Sequence, residues 1–329
     1  MKTLILGGTG FIGYHASLEC IKRGHEVTAL ALPPLPQKDL LPPEVRIELA
    51  NVDTMPDDQL RDLLAGHDAI IDAAGADDRI IPKAPAYDFF FNANVLPAQR
   101  LFKLSREAGI KRGVLISSYF CHFDRIWPER KLSHHHPYIR TRREQSEYAF
   151  KAAAPDLELM VLELPFVFGS MPGREPLWKP LVNYLRSPMP LYCPEGGTNM
   201  IAVEHVSEAI VGALEHGSGG QHYVVGDENR SWKSLLETLC EIMDLDKKVR
   251  TLPTGLIHKA MEAVQFWHYL QGKESGLHQG EFSKLLASET YFDASIARKV
   301  LGQRSGGVLA ALRETVAACA DPDDKNAQP

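Results

Sequence analysis

The segment HPYIRTRREQ (136–145) sets Tyr138 four residues before Arg142. On a helix that spacing puts a phenol and a guanidinium on one face. A positive charge beside a phenol favours its ionised form and pulls against the ordinary pKa of about 10. The pair therefore has the parts of a proton-transfer site. The same two residues could also be a packing aromatic and a solvated charge at a helix start. Arg140 and Arg143 fall on other faces of that helix.

A second constellation opens the chain. LILGGTGFIG spaces Gly7, Gly10 and Gly13 between an apolar run and the start of a helical pattern. Three glycines serve a tight turn, a close approach of backbone to a diphosphate, and close packing of helix on strand. Phe11, Ile12 and Gly13 would then present free N–H groups, with the positive end of the helix dipole behind them, to the phosphates. The context of strand before and helix after is what makes this a dinucleotide fingerprint rather than a plain tight turn. A carboxylate at the end of the second strand would bond ribose hydroxyls, and an arginine there would accept a 2′-phosphate. ALALPP offers Ala31 and Leu32 instead. The missing arginine leans the expectation within NAD(P) toward NAD.

Other candidates carry less. SHHHP (133–137) invites a metal, but consecutive histidines in an extended loop alternate sides, so only His134 and His136 could share an ion. With no carboxylate or thiolate at useful spacing, no metal is expected. SYFCHFDRIW (118–127) places Tyr119, Phe120, Phe123 and Trp127 after Ser118. These aromatics suit the wall of an apolar substrate pocket or packing between two lobes. Cys121 lacks an activating neighbour, and Asp72 could face a cofactor or merely cap a loop.

The elements that must position these residues are legible as alternating strands and helices. KTLIL, EVTAL, VRIEL, AIIDAA and GVLISS read as buried strands of a parallel sheet, with a long helix over YDFFFNANVLPAQRLFKLSREAG that Pro97 should bend. Five prolines between Pro33 and Pro43 make a stiff surface loop. The pattern changes near Phe166. We expect a dinucleotide-binding domain over 1–165 and a mainly substrate-binding lobe over 166–320, with 199–225 returning to the first domain and a disordered tail over 321–329. At 329 residues two lobes are reasonable, and a net charge of −6 without a basic stripe argues against a nucleic-acid partner, so none is expected. No apolar run approaches the ~18 residues of a membrane span, so no membrane partner is expected. Five scattered cysteines fit reduced thiols in a cytoplasmic protein.

With its glycine spacing, Ser118 after the fifth strand and Tyr138 at a helix start, the chain resembles the extended short-chain dehydrogenase/reductase family, of the NAD-dependent epimerase/dehydratase type. NANVLPAQRL, LELPFVFG, NMIAVEHVSEAI and YFDASIARKVLG extend the likeness over nearly the whole length. It implies a Rossmann-like doubly wound parallel α/β sheet with a smaller, interleaved C-terminal lobe. It also implies that Tyr138 is the acid/base of hydride transfer, that Ser118 holds the substrate oxygen, and that Asn94 stands near the active site. Ala74 and Gly75 would pass under the cofactor ribose, and Asn51 would take the place of an aspartate at adenine. Where the family has lysine four residues after its tyrosine, this chain has Arg142. That exchange keeps the charge but not the shape. Arg142 would therefore have to serve both the nicotinamide ribose and the phenol. Dehydratases of the family carry an Asp-Glu pair where Tyr119-Phe120 stand, and their diphosphate-binding arginine is matched here by Thr198-Asn199. The expectation is an NAD(P)-dependent oxidoreductase acting on a carbonyl or secondary alcohol. The alternatives are a sugar-nucleotide epimerase, or a catalytically weak dinucleotide-binding sensor or assembly protein. The implied partner is a small-molecule substrate, and the fold is compatible with a homodimer.

Overall fold

The computed structural model describes residues 1–320; the tail expected to be disordered, 321–329, lies outside the described residues. The strands are β1 (Lys2–Leu6), β2 (Glu26–Ala31), β3 (Val45–Leu49), β4 (Ala69–Asp72), β5 (Arg112–Ser118) and β6 (Glu158–Leu164). They continue as β7 (Phe166–Phe168), β8 (Leu191–Cys193), β9 (Gly197–Ala202), β10 (His222–Val224), β11 (Glu228–Ser231), β12 (Val249–Thr251) and β13 (Glu289–Thr290). The larger sheet is parallel throughout and runs β10-β6-β5-β4-β1-β2-β3.

Apolar runs form its strands because both faces are covered. Neighbouring residues face opposite cores: Ile5, Ile71, Val114 and Leu162 pack into one, Leu4, Ile70, Leu115 and Val161 into the other. The helices before β6 are α1 (Phe11–Lys22), α2 (Asp57–Leu64), α3 (Ala86–Phe90), α4 (Leu96–Glu107), α5 (Phe120–Ile126), α6 (Leu132–His135) and α7 (Pro137–Ala153). After it come α8 (Lys179–Arg186), α9 (Val203–His216), α10 (Trp232–Ile242), α11 (Thr254–Leu270), α12 (Gln279–Leu286), α13 (Ser295–Leu301) and α14 (Val308–Ala318). α1 and α9 pack together on one face, and α2, α4 and α7 on the other.

β11-β9-β13, with β7 beside β9, make a smaller sheet backed by α10 and α14, and β8 and β12 pair separately. Within 199–225, β9 lies in this smaller sheet, α9 packs on α1, and β10 joins the larger sheet. Strand order reverses between β1 and β4, and an open α/β sheet leaves a crevice for a ligand at the carboxyl ends of the strands beside such a switch.

The bend expected at Pro97 takes a specific form. Between α3 and α4 the helix widens into a π turn over Phe91–Val95. Proline has no N–H for the carbonyl four residues back, and the π register reaches one residue further. The π turn buries Asn94.

Candidate active site

The glycine loop joins β1 to α1 at the switch point. A Cβ on Gly13 would lie 2.2 Å from the Gly7 carbonyl oxygen, so only glycine lets α1 start this close to the strand. The first-turn N–H groups of Phe11, Ile12 and Gly13 have no intrahelical acceptor, and no acidic side chain occupies that turn. Such a cradle fits a diphosphate. Gly7 also touches the end of β4, where a Cβ would stand 3.0 Å from the Ala73 carbonyl oxygen and 3.2 Å from the Ala74 nitrogen. Beneath, burial pushes the Asp72 carboxyl up to about 6 against the Ala74 N–H bond and the Arg142 charge. Past β2, Leu32 is exposed and neither carboxylate nor arginine follows it. Asn51 is exposed past β3, its Oδ1 accepting the Asp53 N–H at 3.1 Å.

Gly75 ties this cradle to the proposed chemistry. Its φ of 137° suits glycine, and a Cβ there would sit 2.8 Å from Asn94 Oδ1 and 3.6 Å from Arg142 Nη1. Asn94 clamps the same loop, accepting the Ala76 N–H at 2.8 Å and donating Nδ2–H to the Ala76 carbonyl at 3.0 Å. Asn94, Gly75 and Arg142 are thus neighbours, although they lie far apart in sequence.

Tyr138 is 4% exposed and Arg142 8% exposed, so neither is a solvated decoration. Arg142 donates Nε–H to Tyr138 Oη at 3.1 Å. Nη1 reaches Gln145 Oε1 at 2.8 Å and the Ile116 carbonyl at 3.5 Å. Burial pushes the phenol above its ordinary value; the Arg142 charge and hydrogen bond pull it back, and Asp78 pushes it up again. The net direction is upward, so the phenol holds its proton at neutral pH. Because Nε–H already points at Oη, the phenol's own proton must point elsewhere.

Ser118 ends β5, 8% exposed, with Oγ accepting the Phe120 N–H at 3.3 Å. The aromatics after it belong to one cluster. Tyr119 and Phe120 share a cluster with Tyr138, Phe90, Leu277 and Leu285, and Phe120 meets Phe282 edge-on at 6.0 Å. Tyr119 also links the larger sheet to the smaller one, its hydroxyl 2.9 Å from Thr198 Oγ1 in β9. At its edge Trp127 lies tilted against Phe123, centroids 4.3 Å apart, and carries Arg130 on its face. Burial pushes the Cys121 thiol up to about 12, leaving it inert.

The histidine loop differs from the extended segment expected. Leu132–His135 is a helical turn, with His134 exposed and His136 buried, so the two cannot share an ion. His136 Nδ1 accepts the His278 N–H at 3.0 Å, and the Tyr138 N–H donates to the Gly276 carbonyl at 2.9 Å. Residues 276–278 thereby strap the start of α7. Sequence reasoning missed Gln145 and Asp78. Gln145 stands three residues after Arg142 on the same face and could have been found by that spacing. Asp78 lies on an irregular loop with no pattern to betray it. Burial and Asp77 hold its carboxyl above the usual range.

The family's sequence profile matches residues 3–226, under the description "NAD dependent epimerase/dehydratase family". The chain belongs to the NAD-dependent epimerase/dehydratase family. A 4-hydroxy-2-methyl-3-oxo-4-farnesyl-3,4-dihydroquinoline-1-oxide ketoreductase of Stigmatella aurantiaca is 24% identical, covering 92% of this chain and 91% of the relative. A putative dihydroflavonol 4-reductase of Synechocystis is 25% identical over 95% of this chain and 92% of the relative. Among solved structures, gox2253 superposes with a TM-score of 0.79 at 19% identity, covering 96% of this chain and 97% of that one. A UDP-glucose 4-epimerase of Thermotoga maritima superposes at 0.70 and 17%, covering 97% and 98%. The fold of this family member is Rossmann-like. With reductases and epimerases as its relatives, it is an NAD-dependent enzyme of that oxidoreductase and epimerase type.

Proposed function

We propose that this enzyme reduces an apolar ketone to a secondary alcohol, with Tyr138 as the proton donor. The observation that carries the reading is the buried Tyr138–Arg142 pair, whose phenol keeps its proton and cannot aim it at Arg142. NAD, when bound in its reduced form, supplies the hydride to the carbonyl carbon. The carbonyl oxygen takes the phenolic proton, and the phenolate left behind is met by the Arg142 Nε–H. Ser118 Oγ–H would hold that oxygen in line. The diphosphate cradle would be Gly7, Gly10, Phe11, Ile12 and Gly13. Ala74, Gly75 and Arg142 would stand at the nicotinamide ribose, Asn94 behind them and Asn51 at adenine.

An apolar substrate is favoured by the aromatic wall of Tyr119, Phe120 and Phe282 beside Tyr138. Both reductase relatives carry names with aromatic ring systems, one of them farnesylated. A sugar nucleotide suits the site less well. Thr198, at the position of the family's diphosphate arginine, is committed to the Tyr119 hydroxyl, and nearby Arg230 is paired with Glu228.

The test is NADH oxidation followed at 340 nm with prenylated and polycyclic aryl ketones, and epimerisation of UDP-glucose as the competing assay. Turnover of an apolar ketone that falls by ~10²-fold or more in Tyr138→Phe, with NADH affinity unchanged, is expected. UDP-glucose epimerisation without ketone reduction would overturn the reading, as would a Tyr138→Phe enzyme with full activity.

A further inference from the structure

α11 keeps most of its apolar surface outward. Its inward face mixes half-buried Ile257 and Met261 with polar anchors: His258 Nδ1 lies 3.0 Å from the Gly280 carbonyl and 3.1 Å from Ser283 Oγ. Gln265 Oε1 accepts the Gln279 N–H at 3.0 Å, and His268 Nδ1 is 3.0 Å from Ser275 Oγ. These bonds fix the helix on α12 with its exposed apolar residues outward. None of its seventeen residues is buried. Leu256 is 56% exposed, Phe266 60%, Trp267 60%, Tyr269 73% and Leu270 61%. Leu256, Ala260, Ala263, Trp267 and Leu270 follow one another at spacings of four and three, a single stripe, with Phe266 on its flank. A monomeric surface rarely leaves so continuous an apolar face in water.

The charges around the stripe decide what covers it. The stretch 247–273, bounded by Asp244, Asp246 and Glu274, holds five lysines or arginines and one glutamate, in a chain of net charge −6. Lys247 is spent on the Leu185 and Ser187 carbonyls. Lys248, Arg250, Lys259 and Lys273 are exposed, and among the described residues no carboxylate pairs with them. A second copy of this chain docking stripe to stripe would bring Lys259 against the same cationic rim, because a two-fold interface is self-complementary. An anionic surface would meet that rim favourably. Trp267, a ring with a polar edge on the stripe itself, suits the level of lipid headgroups.

We propose that α11 docks this enzyme peripherally on anionic membranes, lying in the interface with its outer stripe inserted. No helix among the described residues is long and apolar enough to cross a membrane, and docking of this kind requires none. The other face of α12 carries Phe282 and Leu285 into the aromatic cluster around Tyr138. The lipid surface would thus be one helix layer from the substrate wall. The proposal does not depend on the Tyr138 chemistry, and its test does not read activity.

Full-length protein is sedimented with large vesicles of phosphatidylcholine and phosphatidylglycerol at 70:30, and with phosphatidylcholine alone. Binding to the anionic vesicles that weakens with salt is expected, with a blue shift of Trp emission missing in Trp267→Phe. Phe266→Ser/Trp267→Ser should lower partitioning at least ~tenfold, and Lys259→Ala by about fivefold. Both variants should keep the wild-type circular dichroism and NAD affinity. A wild-type protein that stays in the supernatant, or a double variant that still sediments, would overturn the proposal. So would a dimer by analytical ultracentrifugation that Phe266→Ser/Trp267→Ser dissociates without any vesicle binding.

Discussion

A hydrogen bond donated into the Tyr138 oxygen leaves that oxygen's own proton free for a substrate. This gives Arg142 a part that a point charge would not fill. Its guanidinium is planar and forked, so Nε can face the phenol while Nη1 is held by Gln145 and the Ile116 carbonyl. Arg142→Ala should cost ~10²-fold in kcat and raise the Tyr138 pKa further, since burial would act unopposed by the guanidinium. Steady-state kinetics and phenolate absorbance check both parts. A variant with normal kcat would reduce Arg142 to a packing role. At this scale the spacing of Tyr138, Arg142 and Ser118 was readable, because helix periodicity and strand ends announce themselves in one chain. Asp78 was not. It reaches the phenol only through the path of a loop, and loop paths are set by tertiary contacts.

Elements deliver these side chains by small departures from regularity. Pro97 is visible in the sequence, but its consequence, a π turn that buries Asn94 against the 74–76 loop, is a matter of register. The histidine run was misread for a related reason. An isolated turn such as Leu132–His135 is too short for periodicity to reveal. Its last neighbour, His136, sits fully buried beside the strap at 276–278, and burial lowers its pKa to about 4. The unfolded chain binds that proton near 6.5, so the stabilisation from a neutral His136 is complete above 6.5 and is lost as pH falls from there toward 4. Acid should therefore cost up to about 3 kcal/mol through this one group. Urea melts between pH 7 and 4 on the wild type and His136→Leu check it. The variant, whatever its stability at pH 7, should lose less on acidification. Equal pH slopes would contradict the assignment.

Across the whole molecule, the larger sheet was legible because both its faces are buried and its strands are nearly continuous apolar runs. The chain after β6 was less so, since β7, β8 and β12 are three residues each and pair across long gaps in sequence. Nor did the sequence betray the clamp behind the sheet. Fully buried Glu163 accepts from Arg125 at 2.7 and 2.5 Å, with His222 Nδ1 3.1 Å away. Burial raises that carboxyl, but His222 and Arg125 prevail and hold it below its usual range. Arg125→Ala would strand the charge and should destabilise the fold by about 3 kcal/mol. Chemical denaturation measures this, and a loss near zero would mean His222 alone suffices. The proposed mechanism requires Tyr138 to meet the reactive ring of the cofactor. The phenolate difference spectrum, wild type minus Tyr138→Phe, tests that without a substrate when titrated in free protein, with NAD⁺ and with NADH. The free protein should titrate above ~10. NAD⁺, with its charged ring, should bring the titration down, and neutral NADH should not. Three identical curves, with both cofactors bound, would place the nicotinamide away from Tyr138 and contradict the mechanism.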